Sequence, residues 1–309
     1  MSATVSWCRA RRAAIFAAAI VFASALVPLV PSAQEVTPEV ENRSDQLDVP
    51  FVPSGNKVLD AMFRFAKPTP KDYVIDLGSG DGRIVIAAAK SYGASGYGVD
   101  LNEGLVKVAN ARAAKEGVGA RAKFYVRDLF KEDFSRATIV TMYLLPEVVL
   151  RLRPKLFALK PGTRIVSHDY HLGDWRFDQA TVIPSETRGE EDIVYYWVVP
   201  AHVAGQWNWT VSYPAYFNGA VKYEGHIGQH FQDIDGKLVV NLNNMRIHDA
   251  KITGDRIAFS ATGEMEERIV RHDFVGTVKG DRIEGTVHLS GGVQDATVPW
   301  SAYRVKADN

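Results

Sequence analysis

From Phe51 to Pro200 the chain alternates short apolar runs with stretches of helical spacing, and few folds accommodate that alternation. "YVIDLG", "GYGVDL", "AKFYVRDL", "ATIVTMYLL" and "TRIVSHDY" read as five buried strands. Between them lie "GRIVIAAAKSYG", "EGLVKVANARAAKEG" and "PEVVLRLRPKLFALKPG", each with the composition and punctuation of a helix. The last carries Pro146 at its first position and Gly162 past its end. A further helix, "SGNKVLDAMFRFAKP", precedes the first strand and stops at Pro68. "ATVIPSE" and "DIVYYWVV" close the region as an antiparallel pair. Strands alternating with helices require a parallel α/β sheet covered on both faces. With the final pair the sheet has seven strands and occupies residues 50–200.

Helical periodicity ends near Ala201. "WNWTVSY", "HIGQHFQDI", "KLVVNLNNMRI", "DAKITG", "DRIAFSATG", "RHDFVGTV", "DRIEGTVHLS" and "TVPWSAYRV" alternate apolar and polar residues. Turns are expected at Asp235–Gly236, Gly254–Asp255 and Gly280–Asp281. "GDRI" occurs at Gly254 and again at Gly280, which reads as two similar hairpins of a meander. Residues 201–309 are therefore expected to form an all-β barrel or sandwich, its core filled by Trp207, Trp209, Trp300 and Phe231.

The N-terminus stands apart. Arg9, Arg11 and Arg12 precede an apolar run from Ala13 to Val30, and "VPSAQ" follows. Residues 1–33 have the layout of a secretory signal. Pro31 falls where a small residue is preferred at a cleavage site, so an uncleaved anchor through residues 13–30 is the rival reading. The arginines ahead of the run place the remainder outside the cytoplasm in either case, exported or anchored at the inner membrane. An anchor with the domain facing the cytosol is the alternative. Residues 34–49 read as a polar, Pro-containing linker. The 36 basic and 36 acidic side chains cancel, so no nucleic-acid partner is expected. The one cysteine, Cys8, excludes a CxxC metal site and a downstream catalytic thiol.

The loop after the first strand, "VIDLGSGDGR", carries the chemistry. In an open parallel sheet the ligand sits beyond the carboxyl ends of the strands. Gly78, Gly80 and Gly82 let backbone N–H groups approach a ligand closely, with Ser79 between them. A nicotinamide site needs a small third residue in G-x-G-x-x-G/A, and Arg83 stands there. Asp76, two residues before the first glycine, repels a pyrophosphate but suits a cationic ligand such as S-adenosylmethionine (SAM). Asp100, followed by Leu101 at the end of the second strand, is placed for the ribose hydroxyls. Asp128, at the end of the third, is placed for the adenine amino group.

This constellation resembles class I SAM-dependent methyltransferases, with "GYGVDL" similar to their ribose loop and "VRDLF" to their adenine loop. The resemblance implies a Rossmann-like fold. "DLGSGDGR" with "PFVPS" (Pro50 to Ser54) ahead of it is similar, more narrowly, to the group containing the ATP synthase c-subunit lysine N-methyltransferases. In that group the "PFVPS"-like segment helps to close the cofactor site, and a hydrophobic N-terminal segment is common. The acceptor implied is a protein lysine. The fourth strand's "TMYLLPEV" matches no known lysine-binding motif, so a small-molecule amine stays open, as does an exported SAM-fold binding module without turnover. Candidates at strand ends for lining the methyl site or removing a proton are Tyr143, Glu147 and His168, with Asp169 and His171 nearby. No metal site is expected.

Overall fold

The first strand is short because its apolar run is short. β1 (Tyr73–Leu77) is buried along nearly its whole length, as a central parallel strand must be. The computed structural model describes residues 52–186, 189–213, 219–240, 243–265, 267–292 and 295–306. The leader or anchor and the linker, residues 1–49, lie outside them. Among the described residues no helix is long and apolar enough to cross a membrane.

Around β1 the chain places α1 (Asn56–Ala66), α2 (Arg83–Tyr92), β2 (Ser95–Asp100), α3 (Glu103–Lys115), β3 (Ala122–Val126), β4 (Ile139–Met142), α4 (Pro146–Phe157), β5 (Arg164–His168), β6 (Gln179–Pro184) and β7 (Glu191–Val198). The seven strands are ordered β3-β2-β1-β4-β5-β7-β6. β7 runs antiparallel to β5 and to β6, and the other neighbours are parallel. This is the seven-stranded α/β sheet expected from the alternation, in the Rossmann-like arrangement that the resemblance implied. The order reverses beside β1, which puts the glycine loop at the switch point. Val58, Met62, Val85, Ala89 and Ala109 cover one face, and Leu152, Leu156, Trp175 and Trp197 the other.

The second half is a closed eight-stranded antiparallel barrel, not a sandwich. Its strands are β8 (Gly205–Tyr213), β9 (Gly219–His230), β10 (Asp233–Val240), β11 (Asn243–Thr253), β12 (Arg256–Met265), β13 (Arg268–Lys279), β14 (Arg282–Ser290) and β15 (Ala296–Arg304). Closure satisfies every edge. The interior is filled. Trp209 lies flat on Tyr223 with centroids 5.3 Å apart, Phe274 stacks on Phe259 at 4.9 Å, and Trp300 packs edge-on to Phe274.

Four expectations about this half need correction. The Gly254–Asp255 and Gly280–Asp281 hairpins form as read. Asp235–Gly236 is no turn: it lies within β10, paired with Gly228 and Ile227. There the glycine admits a close approach, since a Cβ would run into the carbonyl of His226. The reversal falls at Phe231–Gln232 instead, so "HIGQHFQDI" belongs to two strands. "DAKITG" is not a separate strand but the end of β11, beyond an irregularity between His248 and Lys251. Phe231 leaves the barrel interior altogether and packs against the α/β half.

Candidate active site

Gly78, Gly80 and Gly82 all take positive φ (77°, 51° and 76°), the region that favours glycine. At Gly82 there is a second reason. A Cβ would lie 2.5 Å from the Phe124 ring and 2.8 Å from the Ala109 methyl, so this glycine lets α2 and α3 close on β3. The loop is tied to β2 by the N–H groups of Gly78 and Ser79, both donating to the carbonyl of Val99. The Ser79 side chain is buried, and its hydroxyl has no partner among the described residues.

Asp76 is 2% exposed at the carboxyl end of β1. Its neighbour in the register on β4, Thr141, donates a 2.7 Å hydrogen bond to it. Burial pushes the Asp76 carboxyl up to about 7, against the opposing pull of the Thr141 hydroxyl, and the charges of Asp100 and Asp81 push the same way. No cation among the described residues offsets that cost. A buried carboxylate among like charges accepts a positive group and rejects a phosphate.

Asp100 closes β2. Its two oxygens accept the N–H groups of Gly80 (2.8 Å) and Asn102 (2.9 Å), which locks the carboxylate against the glycine loop and leaves a lone pair on each oxygen outward. Leu101 beside it is half exposed and offers an apolar surface. Asp128 sits two residues past the end of β3 instead of on it, because β3 stops at Val126. Its carboxylate accepts the Phe130 N–H. Asp76, Gly78, Ser79, Gly80, Gly82, Asp100, Leu101 and Asp128 thus share the carboxyl edge of β1, β2 and β3. An orphaned hydroxyl, a buried carboxylate without a counter-charge among the described residues and a loop of three positive-φ glycines fit a cationic nucleoside such as SAM.

Beyond β4 and β5 a second cluster forms. The Tyr143 ring lies 3.8 Å from the His168 ring, centroid to centroid, and its hydroxyl donates to Asp169 at 3.3 Å. Tyr170 stacks on the Tyr143 ring at 6.3 Å. His168 is 2% exposed. Its Nδ1 is 2.9 Å from the Ser54 hydroxyl, while Nε2 lies 3.4 Å from Asp192 and 3.6 Å from Asp169. Asp169 has φ 61°, an uncommon conformation for a residue with a Cβ, and accepts the Ile193 N–H. The ligand atoms of His168, Asp169 and Asp192 lie within 4.8 Å of one another, a grouping that could hold a cation.

Tyr143, His168 and Asp169 therefore meet. Glu147 does not join them: it stands exposed in the first turn of α4, with no hydrogen bond or ion pair among the described residues. His171 is exposed as well, its Nδ1 accepting the Gly173 N–H. Two members were missed in the sequence. Asp192 is hidden in a β-strand whose other inward residues are apolar, and nothing in its spacing marks it. Ser54 was legible only as part of "PFVPS". Its carbonyl accepts from Arg83, whose guanidinium also grips Asp81 in the glycine loop with two hydrogen bonds. Burial alone would raise the Asp81 carboxyl, but the hydrogen bonds and charge of Arg83 and the charge of Arg112 hold it below its ordinary value. Ser54 thus links the glycine loop to the His168 cluster.

Residues 76–179 match the family model of the ANTKMT methyltransferase domain. Over 156 residues the chain is 42% identical to a protein-lysine N-methyltransferase of Saccharolobus islandicus (strain REY15A), covering 50% of this chain and 96% of that protein. The chain belongs to this methyltransferase family. It is a SAM-dependent enzyme. The human ATP synthase c-subunit lysine N-methyltransferase is 36% identical over 146 residues, which make up 47% of this chain and 62% of that relative's length. An RNA methyltransferase from Salinibacter ruber, solved with S-adenosyl-L-homocysteine, is 44% identical, with 49% of this chain and 96% of that one covered and a TM-score of 0.45. The barrel lies outside the residues that the family model matches.

Proposed function

We propose that the methyltransferase acts on a lysine ε-amine of a protein substrate. The observation that carries this reading is the cation-receiving corner of Asp169, Asp192, His168 and Tyr143 beside the glycine loop. The names of the relatives from Saccharolobus and human point the same way.

Asp76, the glycine loop, Asp100, Leu101 and Asp128 would hold SAM, which would supply a methyl group on a positively charged sulfur. The remaining work falls to this chain's own residues. Transfer forms an N–C bond as the C–S bond breaks, and the electron pair goes to sulfur. The acceptor nitrogen must therefore present a lone pair. A free lysine has a pKa of about 10.4. Asp169 and Asp192 draw the ammonium in. The Tyr143 and Tyr170 rings exclude water around it, which favours the neutral amine. His168, with Nδ1 fixed by Ser54, takes the released proton at Nε2. Alignment of the amine along the axis of the breaking bond then supplies much of the rate.

Membrane association through residues 13–30 and an exported or anchored location are proposed on the sequence pattern alone. Cell fractionation tests them: the full chain is expected in the membrane or exported fraction, and recovery only in the soluble cytoplasm overturns both. The acceptor is tested by comparing methyl-lysine in the proteome of the source organism with and without the gene. Loss of a defined methyl-lysine is expected. An unchanged set, with loss of a methylated small amine, overturns the protein-lysine reading.

A further inference from the structure

The barrel reaches the α/β half through the Phe231 side chain, which packs there and not in the barrel interior. Phe231 sits in the two-residue turn between β9 and β10, closed by the His230 and Asp233 pair. Its φ is 54°, a strained conformation for a bulky residue, which persists only where the surroundings hold it. They do. The ring lies flat on Trp175, centroids 5.4 Å apart and planes 6° from parallel. It meets Phe157 of α4 edge-on at 5.1 Å, with the Arg153 guanidinium 5.6 Å from its centre. Beside it the buried Gln232 donates from its amide to the carbonyl of Arg176. Asp233 pairs with Arg176 at 3.0 Å, and His230 approaches Asp174 at 3.5 Å.

Most of these contacts fall on residues 174–176, at the far end of the segment that begins with Asp169 and Tyr170. That segment has no helix or strand of its own between β5 and β6. Its shape depends on what packs against it. Trp197 holds the Trp175 carbonyl with its indole N–H, and Arg153 holds the Leu172 carbonyl. The Phe231 turn covers the remaining face of Trp175.

We propose that the β9–β10 turn of the barrel is a positioning element of the acceptor site: Phe231 and Gln232 fix the 170–178 segment and so hold Asp169 and Tyr170 against Tyr143. The acceptor role of that corner rests on the function proposed above, whereas the holding of the segment does not.

Hydrogen exchange on the full chain tests it, with S-adenosyl-L-homocysteine titrated calorimetrically alongside. Phe231→Ala is expected to speed exchange in residues 170–178 by about tenfold or more while residues 74–86 exchange as in the wild type. Affinity for S-adenosyl-L-homocysteine is expected to stay within about twofold. Phe231→Trp, which keeps a flat ring, is expected to restore protection. Gln232→Leu removes one hydrogen bond without opening a cavity, and is expected to loosen the same residues to a lesser degree. Unchanged exchange at 170–178 in both Phe231→Ala and Gln232→Leu overturns the proposal. So does loosening that spreads equally to residues 74–86, which would make Phe231 a general stability residue. A wild-type chain that binds no S-adenosyl-L-homocysteine overturns the site reading instead, and the exchange pattern still decides the role of the turn.

Discussion

At Asp76 a single carboxylate carries two opposite pH effects. Its folded pKa is near 7 against an ordinary 3.8, so between those values the folded chain holds a proton that the unfolded chain has lost. Through this group the unliganded protein gains stability as pH falls from 7 towards 4, and loses it as pH rises. SAM binding runs the other way, because the cationic ligand needs the ionised form. Affinity for SAM is expected to drop about tenfold per pH unit below 7, as measured by calorimetric titration. Asp76→Asn is expected to flatten that profile and cost roughly 30-fold or more in affinity. Tyr143→Phe keeps the ring on His168 and removes the hydroxyl from Asp169. Methyl transfer is expected to fall by about 10- to 100-fold with unchanged SAM affinity, separable by comparing turnover with titration. The grouping of Asp76, the glycine loop, Asp100 and Asp128 at one edge was legible because each stands at or just past a strand's carboxyl end. Asp192 was not, since a carboxylate on a buried strand takes its role only from what the register sets opposite it. Glu147 read as a further candidate behind Tyr143 in the sequence, and its place in the first turn of α4 puts it in solvent.

Among the elements, the glycine loop and the barrel strands fail in different ways when perturbed. Gly82→Ala meets both a positive φ and a ring at 2.5 Å, so a loss of about 2 kcal/mol or more in thermal or denaturant unfolding is expected. In the barrel, His272 on β13 is fully buried, and burial pushes its imidazole down to about 4 from an ordinary 6.5. The unfolded chain therefore binds the extra proton between those values, and stability is lost as pH falls from 6.5 towards 4. His272→Leu is expected to remove that part of the acid lability, read from unfolding curves at pH 7 and pH 5. The sheet was readable as alternation because β1, β2 and β5 are short apolar runs that meet a glycine or an aspartate at their carboxyl ends. The barrel was readable as alternation but not in its segmentation. Asp235–Gly236 has the composition of a turn, yet Gly236 serves the close approach of β9. The true reversal, Phe231–Gln232, has no turn residue because the other half of the molecule holds its strained backbone.

Over the whole molecule, the two halves are joined by more than a linker. Phe231, Gln232 and Asp233 dock on residues 174–176, the Ala201 N–H donates to the Gly254 carbonyl, and Gly254 lies against Gly162. Calorimetric unfolding is accordingly expected as one transition, and Phe231→Ala is expected to separate it into two. Within the α/β half, Ser54 connects Arg83 at the glycine loop to His168, so the proposed cofactor and acceptor sites share one strap. The measurement that bears most directly on the whole is a calorimetric titration of the chain with SAM and with S-adenosyl-L-homocysteine, repeated with Asp76→Asn and Asp100→Ala. Saturable one-to-one binding of both ligands in the micromolar range, weakened in both variants, is the expected result. Absence of binding, or affinity that neither substitution changes, would contradict the assignment of the glycine loop as the cofactor site.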